Sequence, residues 1–338
     1  MAAGLMLRQR MQFGFVDSSK VLLLSRDGLA KTGIAVADVT ARASDPPPGT
    51  LSGIVVRLDG PAPHDHSPLI DPATNPTSFG QPNFDTYTVE VVQRIGYDSY
   101  EPDNGVLLAK NKDRPSPPSA TQMPNNMSIF TWAIDAHPED INTLDFKRPK
   151  GEPVLRTVGD YRQLNDALFH AGLNSGSSYE WEDTPNRLHF YVVDVHHDSL
   201  GILSYTLAVR SLDGAGPQPR DVAIAAPART PGMPTLAQLN FAVINRGTSA
   251  PTPKDAHPRD ESAYFDGDVY RLSARVDGNG WRVDLPNALM AVKFGESKQM
   301  SAFVRRTNSA ASAAALYLTA TSESDPTKTV TSKIVLSW

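Results

Sequence analysis

The sequence has no cysteine. Thiol nucleophiles, cysteine-ligated zinc, iron–sulfur clusters and disulfide staples are excluded together. The compartment stays open on this point, because many exported proteins also lack cysteine. None of the eight histidines is followed by glutamate; the following residues are Asp65, Ser67, Pro138, Ala171, Phe190, His197, Asp198 and Pro258. A His-Glu-x-x-His helix puts two imidazoles on one face to bind Zn²⁺ and a glutamate beside them to activate its water, so that catalytic helix is absent from this sequence. Gly-x-Ser-x-Gly is absent too, which leaves a Ser-His-Asp triad without an anchor. No apolar run approaches the roughly 20 residues that cross a bilayer, and mean hydropathy is negative. The apolar run within Met1–Arg10 is short and broken by arginines, unlike a signal-peptide core, so any export signal is expected upstream.

What is present points to β structure. The 338 residues suffice for two or three ordinary cores. Against 32 Lys and Arg stand 37 Asp and Glu, a net charge of -5 without a polybasic footprint, so nucleic acid is not an expected partner. The 28 prolines and 23 glycines punctuate the chain too densely for long helices.

The expected fold class is mainly β, with two domains: a β-rich sandwich carrying one short helix (1–212), a Pro-rich linker (213–236) and an immunoglobulin-like β-sandwich (237–338). The linker is read from its prolines, its alanines and its few large apolar residues. Beyond it, Tyr270, Leu272, Ala274 and Val276 alternate with Arg271, Ser273, Arg275 and Asp277. Asp277-Gly278-Asn279-Gly280 supplies turn residues before Trp281, Val283 and Leu285, which predicts a hairpin. Further strands are expected at 239–244, 290–294, 299–305, 314–321 and 330–336, the spacing of an immunoglobulin-like sandwich. In the first 212 residues strands are expected at 21–24, 34–39, 51–58, 86–94, 106–109, 128–135, 188–195 and 202–210. Tyr87, Val89 and Val91 share one side of theirs, opposite Thr88, Glu90 and Arg94. The helix is placed at Tyr161–Ala171, with Asp160 and Gln163 at capping-box spacing, Tyr161, Leu164 and Leu168 along one stripe, and Gly172 as its stop. Residues 59–82 read as a long surface loop.

Several clusters could carry chemistry. His64-Asp65-His66 and the group Asp194, His196, His197 and Asp198 contain metal-ligating types, but adjacent strand residues face opposite ways, and neither group has a third ligand at fixed spacing. Solvated histidines are the expectation there. Carboxylate-rich turns at Asp266-Gly267-Asp268 and Asp98 through Asp103 leave calcium open, although the EF-hand pattern is missing. Tyr97, Tyr100, Tyr179 and Trp181 stand in loop-like segments where a glycan-stacking surface would lie, whereas Trp132 and Trp281 sit in core-like alternation. Asn126-Met127-Ser128 fits the N-glycosylation triplet. No catalytic, cofactor-binding or metal residue is assigned.

Tyr87-Thr88-Val89-Glu90-Val91-Val92-Gln93-Arg94, Gly96-Tyr97-Asp98 and Gly105-Val106-Leu107-Leu108 resemble the stretch that follows the catalytic helix in immune inhibitor A-type (gametolysin-like) secreted bacterial metallopeptidases. Asn165 to Gly172, Leu188 to Val192 and Leu203 to Leu212 are similar to its continuation. Asn245-Arg246-Gly247, His257-Pro258, Asp268 to Leu272, Gly280-Trp281 and Thr319 to Pro326 resemble the immunoglobulin-like appendage of such enzymes. The resemblance implies a secreted, non-catalytic accessory region whose partners are the catalytic domain of a parent enzyme and a protein or polysaccharide substrate. Zinc belongs to the parent enzyme by that resemblance. A self-standing adhesion or glycan-binding protein is the alternative.

Overall fold

In the computed structural model, residues 5–59, 84–112, 130–137, 143–147, 153–155, 166–225, 228–230, 236–308, 311 and 313–337 are described. They form a mainly β protein with two short helices. In chain order the elements of the first half are α1 (Leu7–Gln12), β1 (Val21–Ser25), α2 (Arg26–Thr32), β2 (Ala35–Thr40), β3 (Gly53–Arg57), β4 (Thr86–Val92), β5 (Gly105–Lys112), β6 (Phe130–Ala133), β7 (Thr143–Lys147), β8 (Pro153–Leu155), β9 (Glu180–Asp183), β10 (Leu188–His197) and β11 (Leu203–Ser211). β12 (Val222–Ile224), β13 (Ala228–Thr230), β14 (Leu236–Asn245), β15 (Gly267–Asp277), β16 (Trp281–Asp284), β17 (Leu289–Lys293), β18 (Ser297–Arg306), β19 (Ala313–Ser322) and β20 (Thr329–Ser337) follow.

The first sandwich stacks the sheet β1-β3-β4-β5-β6 on the sheet β2-β11-β10-β9. Between them lie Leu22, Leu24, Ile54, Val56, Tyr87, Val89, Val91, Phe190, Val192 and Leu207, all buried. As the alternation predicts, Tyr87, Val89 and Val91 face this core. The opposite face of β4 is covered as well, by α1, whose Leu7 packs on Val21 and Val55, so all seven β4 residues are buried. Close approach of that helix requires Gly53: a Cβ there would stand 2.5 Å from Leu7 Cδ2.

The second sandwich pairs β12-β14-β18-β16 with β17-β15-β19-β20 around Phe241, Val243, Tyr270, Leu272, Trp281, Leu316 and Leu318. The hairpin expected at 270–285 does not form. β15 pairs with β17 and β19, and β16 pairs with β18 in the other sheet. The turn at Gly278 (φ 148°) and Gly280 (φ 81°) carries the chain between the sheets, which lets Trp281 enter the core they share. The helix expected at Tyr161–Ala171 is also corrected where it is described: residues 166–171 are not helical, and Phe169 instead bridges Val106 in antiparallel fashion. Tyr161 and Leu164 lie outside the described residues. An apolar stripe of three residues is too weak a signal to compete with a free sheet edge.

The stretch read as a linker, where described, is packed rather than free. Its β12 and β13 both pair with β14. Ahead of them Gln218 Nε2 donates to Thr32 O (2.8 Å) and Arg220 Nη1 donates to Gly267 O (2.9 Å), so this segment bonds to both halves. Alternation along β10 points Phe190 and Val192 into the first core and Tyr191 and Val193 away from it, and a β-bulge follows between Val192 and Asp194. With Ile34, Tyr191, Ala208, Val269 and Leu289, Val193 makes an apolar layer between the sandwiches.

A loop of the second half also covers the outer edge of β1. Glu261 Oε1 accepts from Leu23 N–H (3.1 Å), His257 Nδ1 accepts from Ser25 N–H (3.0 Å), and Arg259 donates to the Ser18 and Val21 carbonyls. Side chains thus satisfy an edge that would otherwise invite pairing with another chain. His257 is buried against Phe265, with ring centroids 5.2 Å apart. Its Nε2 faces Thr32 Oγ1 at 2.9 Å, and that hydroxyl donates to Gly28 O. Because Nδ1 accepts, the proton sits on Nε2 and the ring is neutral.

Burial pushes the His257 pKa from 6.5 down to about 4. A depressed folded-state value means that the stabilisation is complete above pH 6.5 and is lost as pH falls toward 4. Denaturant unfolding should therefore show a fall over that interval of at most about 3 kcal/mol. His257→Gln should flatten most of the slope between pH 6.5 and 5; an unchanged slope would remove His257 as its source.

Candidate functional site

Glu90 is a charged residue in the middle of a buried strand, and burial of an unpaired carboxylate is costly. The structure supplies its partners from three directions. Glu90 Oε2 accepts from Leu7 N–H in the first turn of α1 (2.9 Å) and from Arg10 Nη2 (3.0 Å), while Oε1 accepts from Arg42 Nη1 (3.2 Å). Arg42 follows β2, and its backbone N–H is tied to Val91 O at 2.8 Å. Its guanidinium makes a two-point bond to Asp98, Nε to Oδ2 at 2.8 Å and Nη2 to Oδ1 at 2.7 Å, and Nη2 also reaches Glu101 Oε1 at 3.0 Å. The Arg42 side chain is 1% exposed and that of Asp98 0%. The Arg42 carbonyl accepts from Arg10 Nη1 (3.0 Å) and from the Tyr97 hydroxyl (2.5 Å).

Desolvation opposes the Arg42 charge, but the Asp98 hydrogen bonds and the charges of Glu90, Asp98 and Glu101 overrule it, so its pKa is raised. Burial lifts the Glu101 carboxyl above its ordinary value. The group sets three carboxylates, Glu90, Asp98 and Glu101, against two guanidiniums, Arg10 and Arg42.

Above the cluster opens a cleft of about 730 Å³ bordered by Leu5, Arg10, Phe15, Val16, Arg42 and Tyr97. Phe13 and Phe15 lie on its α1 side with ring centroids 6.0 Å apart and are 63% and 69% exposed, and Tyr97 is 51% exposed. Exposed aromatics beside a cleft are the usual mark of an interaction site.

The other clusters do not converge. His64, Asp65, His66 and the Asn126 triplet lie outside the described residues. Asp194 pairs with Lys298 of the second sandwich (2.8 Å). His196 Nε2 faces Thr206 Oγ1 (2.8 Å), His197 is exposed, and Asp198 accepts from Leu200 and Ile202 N–H in a turn. Asp266 pairs with Lys293 (2.9 Å), whereas buried Asp268 accepts from Ser322 (2.5 Å) and Ser324 (2.6 Å). Asp103 faces His170 at 3.3 Å, away from Asp98. Among the described residues no three His, Asp or Glu side chains gather as a metal site. Of the aromatics proposed for glycan stacking, Tyr97 and Tyr100 are exposed, but Trp181 packs on Tyr87 and Phe190, and Tyr179 packs between the sandwiches. Arg10 and Arg42 were not legible as site residues; the signal was Glu90 between Val89 and Val91, a buried charge that needed a cation.

Residues 12–212 match a family described as a middle domain, and residues 222–337 match one described as a peptidase M6-like domain. The chain is 43% identical over 330 residues to a protein of Arthroderma benhamiae named "Putative secreted metallopeptidase"; the match covers 96% of this chain and 46% of that protein. The chain therefore spans about half the length of the relative it matches, and that relative is fungal where the resemblance pointed to bacterial enzymes. A FixG-related protein from Vibrio parahaemolyticus aligns with 35% of this chain and 95% of its own length at 11% identity and a TM-score of 0.23, which carries no argument about fold.

Removing the cation at the centre should be severe. Arg42→Leu leaves Glu90, Asp98 and Glu101 buried without it, and thermal unfolding should report a loss of about 3–5 kcal/mol. Arg42→Lys should recover only part, since an ammonium cannot make the two-point bond to Asp98. A loss below about 1 kcal/mol for Arg42→Leu, the range of a surface pair, would contradict this role.

Proposed function

This chain belongs to a metallopeptidase-related family, and from that premise we propose that it is the non-catalytic accessory region of a secreted zinc metallopeptidase. It supports the protease core and contributes substrate or surface binding. The observation that carries this reading is the use made of the motif residues. Tyr87 bonds Asp183 and Asn186, Glu90 and Asp98 bond Arg42, and Tyr97 bonds the Arg42 carbonyl. Each is spent on holding the chain together, none on a reacting group.

In this reading the zinc ligands and the general base belong to the catalytic domain, and the second sandwich is an immunoglobulin-like module. The cleft rimmed by Phe15 and Tyr97, with Phe13 beside Phe15, is the face that meets the catalytic domain, because it combines exposed aromatic area with a charged floor. A protein or polysaccharide substrate is the other partner.

The test uses a parent enzyme with and without this region. Its removal should lower casein turnover or thermal stability several-fold more than it lowers cleavage of a short peptide, and Phe15→Asp in the intact enzyme should reproduce part of the loss. Equal loss of both activities would overturn the supporting role. Casein digestion by the 338-residue chain alone with added zinc would overturn the non-catalytic assignment.

A further inference from the structure

The outer face of the sheet β17-β15-β19-β20 has a defined composition. Strand register sets Arg271, Thr321 and Thr329 in one row across three strands, Ser273, Thr319 and Thr331 in the next, and Arg275, Tyr317 and Lys333 in a third. Rows lie about 7 Å apart along the strands. Their inward neighbours Leu272, Leu316, Leu318 and Ala320 are buried, so the rows point away from the core. These three rows are mostly polar, and the next row on the same face, Asp277, Ala315 and Val335, adds an acid and an exposed apolar side chain. Hydroxyls are joined across strands, Thr319 Oγ1 to Thr331 Oγ1 at 2.8 Å and Thr329 Oγ1 to Thr321 Oγ1 at 3.1 Å.

Its charge is uneven. Arg271 is neutralised by Glu180 and Glu323. Among the described residues Arg275 pairs with Asp277, at 4.0 Å with both side chains mostly exposed. Such a pair is weak and screened by salt. The Arg275 Cζ lies 3.8 Å from the Tyr317 ring centre and Lys333 Nζ 5.5 Å from it, so one ring holds two cations at the surface. Stacking fixes a planar guanidinium before any ligand arrives and reduces the ordering cost of binding a carboxylate.

We propose that this face binds an acidic polysaccharide, with Arg275 and Lys333 taking the uronate carboxylates and the hydroxyl rows meeting the sugar hydroxyls. Charge complementarity selects the anion. The hydroxyl rows, aligned across extended strands, match the repeating hydroxyls of a sugar polymer. The inference rests on the surface-binding part of the proposed function and not on docking to a peptidase.

The experiment titrates the full chain with polygalacturonate and with its methyl-esterified form at physiological ionic strength, with duplex DNA as a second polyanion. Polygalacturonate should bind at least tenfold more tightly than the ester or the DNA. Arg275→Gln combined with Lys333→Gln should lose at least tenfold, and Tyr317→Leu, which keeps both charges and removes the stack, should lose less. Melting temperatures of these surface variants should match the parent, which separates lost binding from lost fold. Equal affinity for the ester, tighter binding of DNA, or an unaffected double variant would each overturn the proposal. A chain that binds pectate but no catalytic domain keeps this inference and loses the docking role; a chain that docks and ignores pectate does the reverse.

Discussion

Arg42 is the cation at the centre of the buried ion cluster that ties the first sandwich together. Through Glu90 it holds the central strand β4, through Asp98 and Glu101 the turn after that strand, and through its carbonyl both Arg10 and Tyr97. A set of apolar side chains of similar volume would fill the same space at lower desolvation cost. What the ionic arrangement adds is direction. A guanidinium with two-point geometry accepts carboxylates only from certain angles, so β4, the turn at 96–101 and the segment after β2 must meet in one register. Glu90, Tyr97 and Asp98 are thus tied by mutually dependent bonds rather than standing as independent features.

The same logic holds between the halves. The apolar layer around Val193 and Val269 gives contact without direction, while the polar contacts at its margins fix orientation. Arg271 of β15 bonds Glu180 of β9 and Glu323 after β19; burial would raise the Glu180 carboxyl, but hydrogen bonds from His189 and Arg271 hold it down at about 2. Burial raises the Tyr191 phenol, which donates to Glu323 and accepts from Arg210. With the His257 loop on β1, Gln218 on Thr32, Lys298 on Asp194 and Asn287 on the Val193 carbonyl, the two sandwiches are joined by directional bonds at several places, more than a flexible tether would supply.

Most of the strand inventory was legible because alternation is a local property: residues 86–92 and 267–277 declare their faces without reference to anything distant. What was not legible required knowledge of contacts far along the chain. The strand pair expected at 270–285 failed because the turn residues that tighten a hairpin also permit a crossing between sheets, and only the shared core decides which occurs. α1 escaped notice because six residues with two buried arginines have no apolar stripe; its partner is Glu90, 83 positions away from Leu7. The prolines between 213 and 236 suggested a free connection, yet proline tolerates sheet edges, and Gln218 and Arg220 find acceptors on both sides. The carboxylates at 98 and 101 were read as turn residues for their own hydrogen bonding, which is the ordinary reason for such residues and here is the lesser one.

The position of α1 links this buried chemistry to the surface. A six-residue helix has almost no stability of its own. Its first turn is held by the Glu90 carboxylate, its last by Arg10 on Glu90 and on the Arg42 carbonyl, and its underside by Leu7 in the space that Gly53 leaves. Phe13 and Phe15 follow at once and are among the most exposed large apolar side chains of the described chain. Exposed aromatics on a frayed terminus would be disordered and of little use for recognition, since ordering them on binding costs entropy. Anchored by a buried ion cluster, they present a fixed apolar edge, and the buried contacts of Arg42 and its acids are in that sense what sets the position of this exposed aromatic surface.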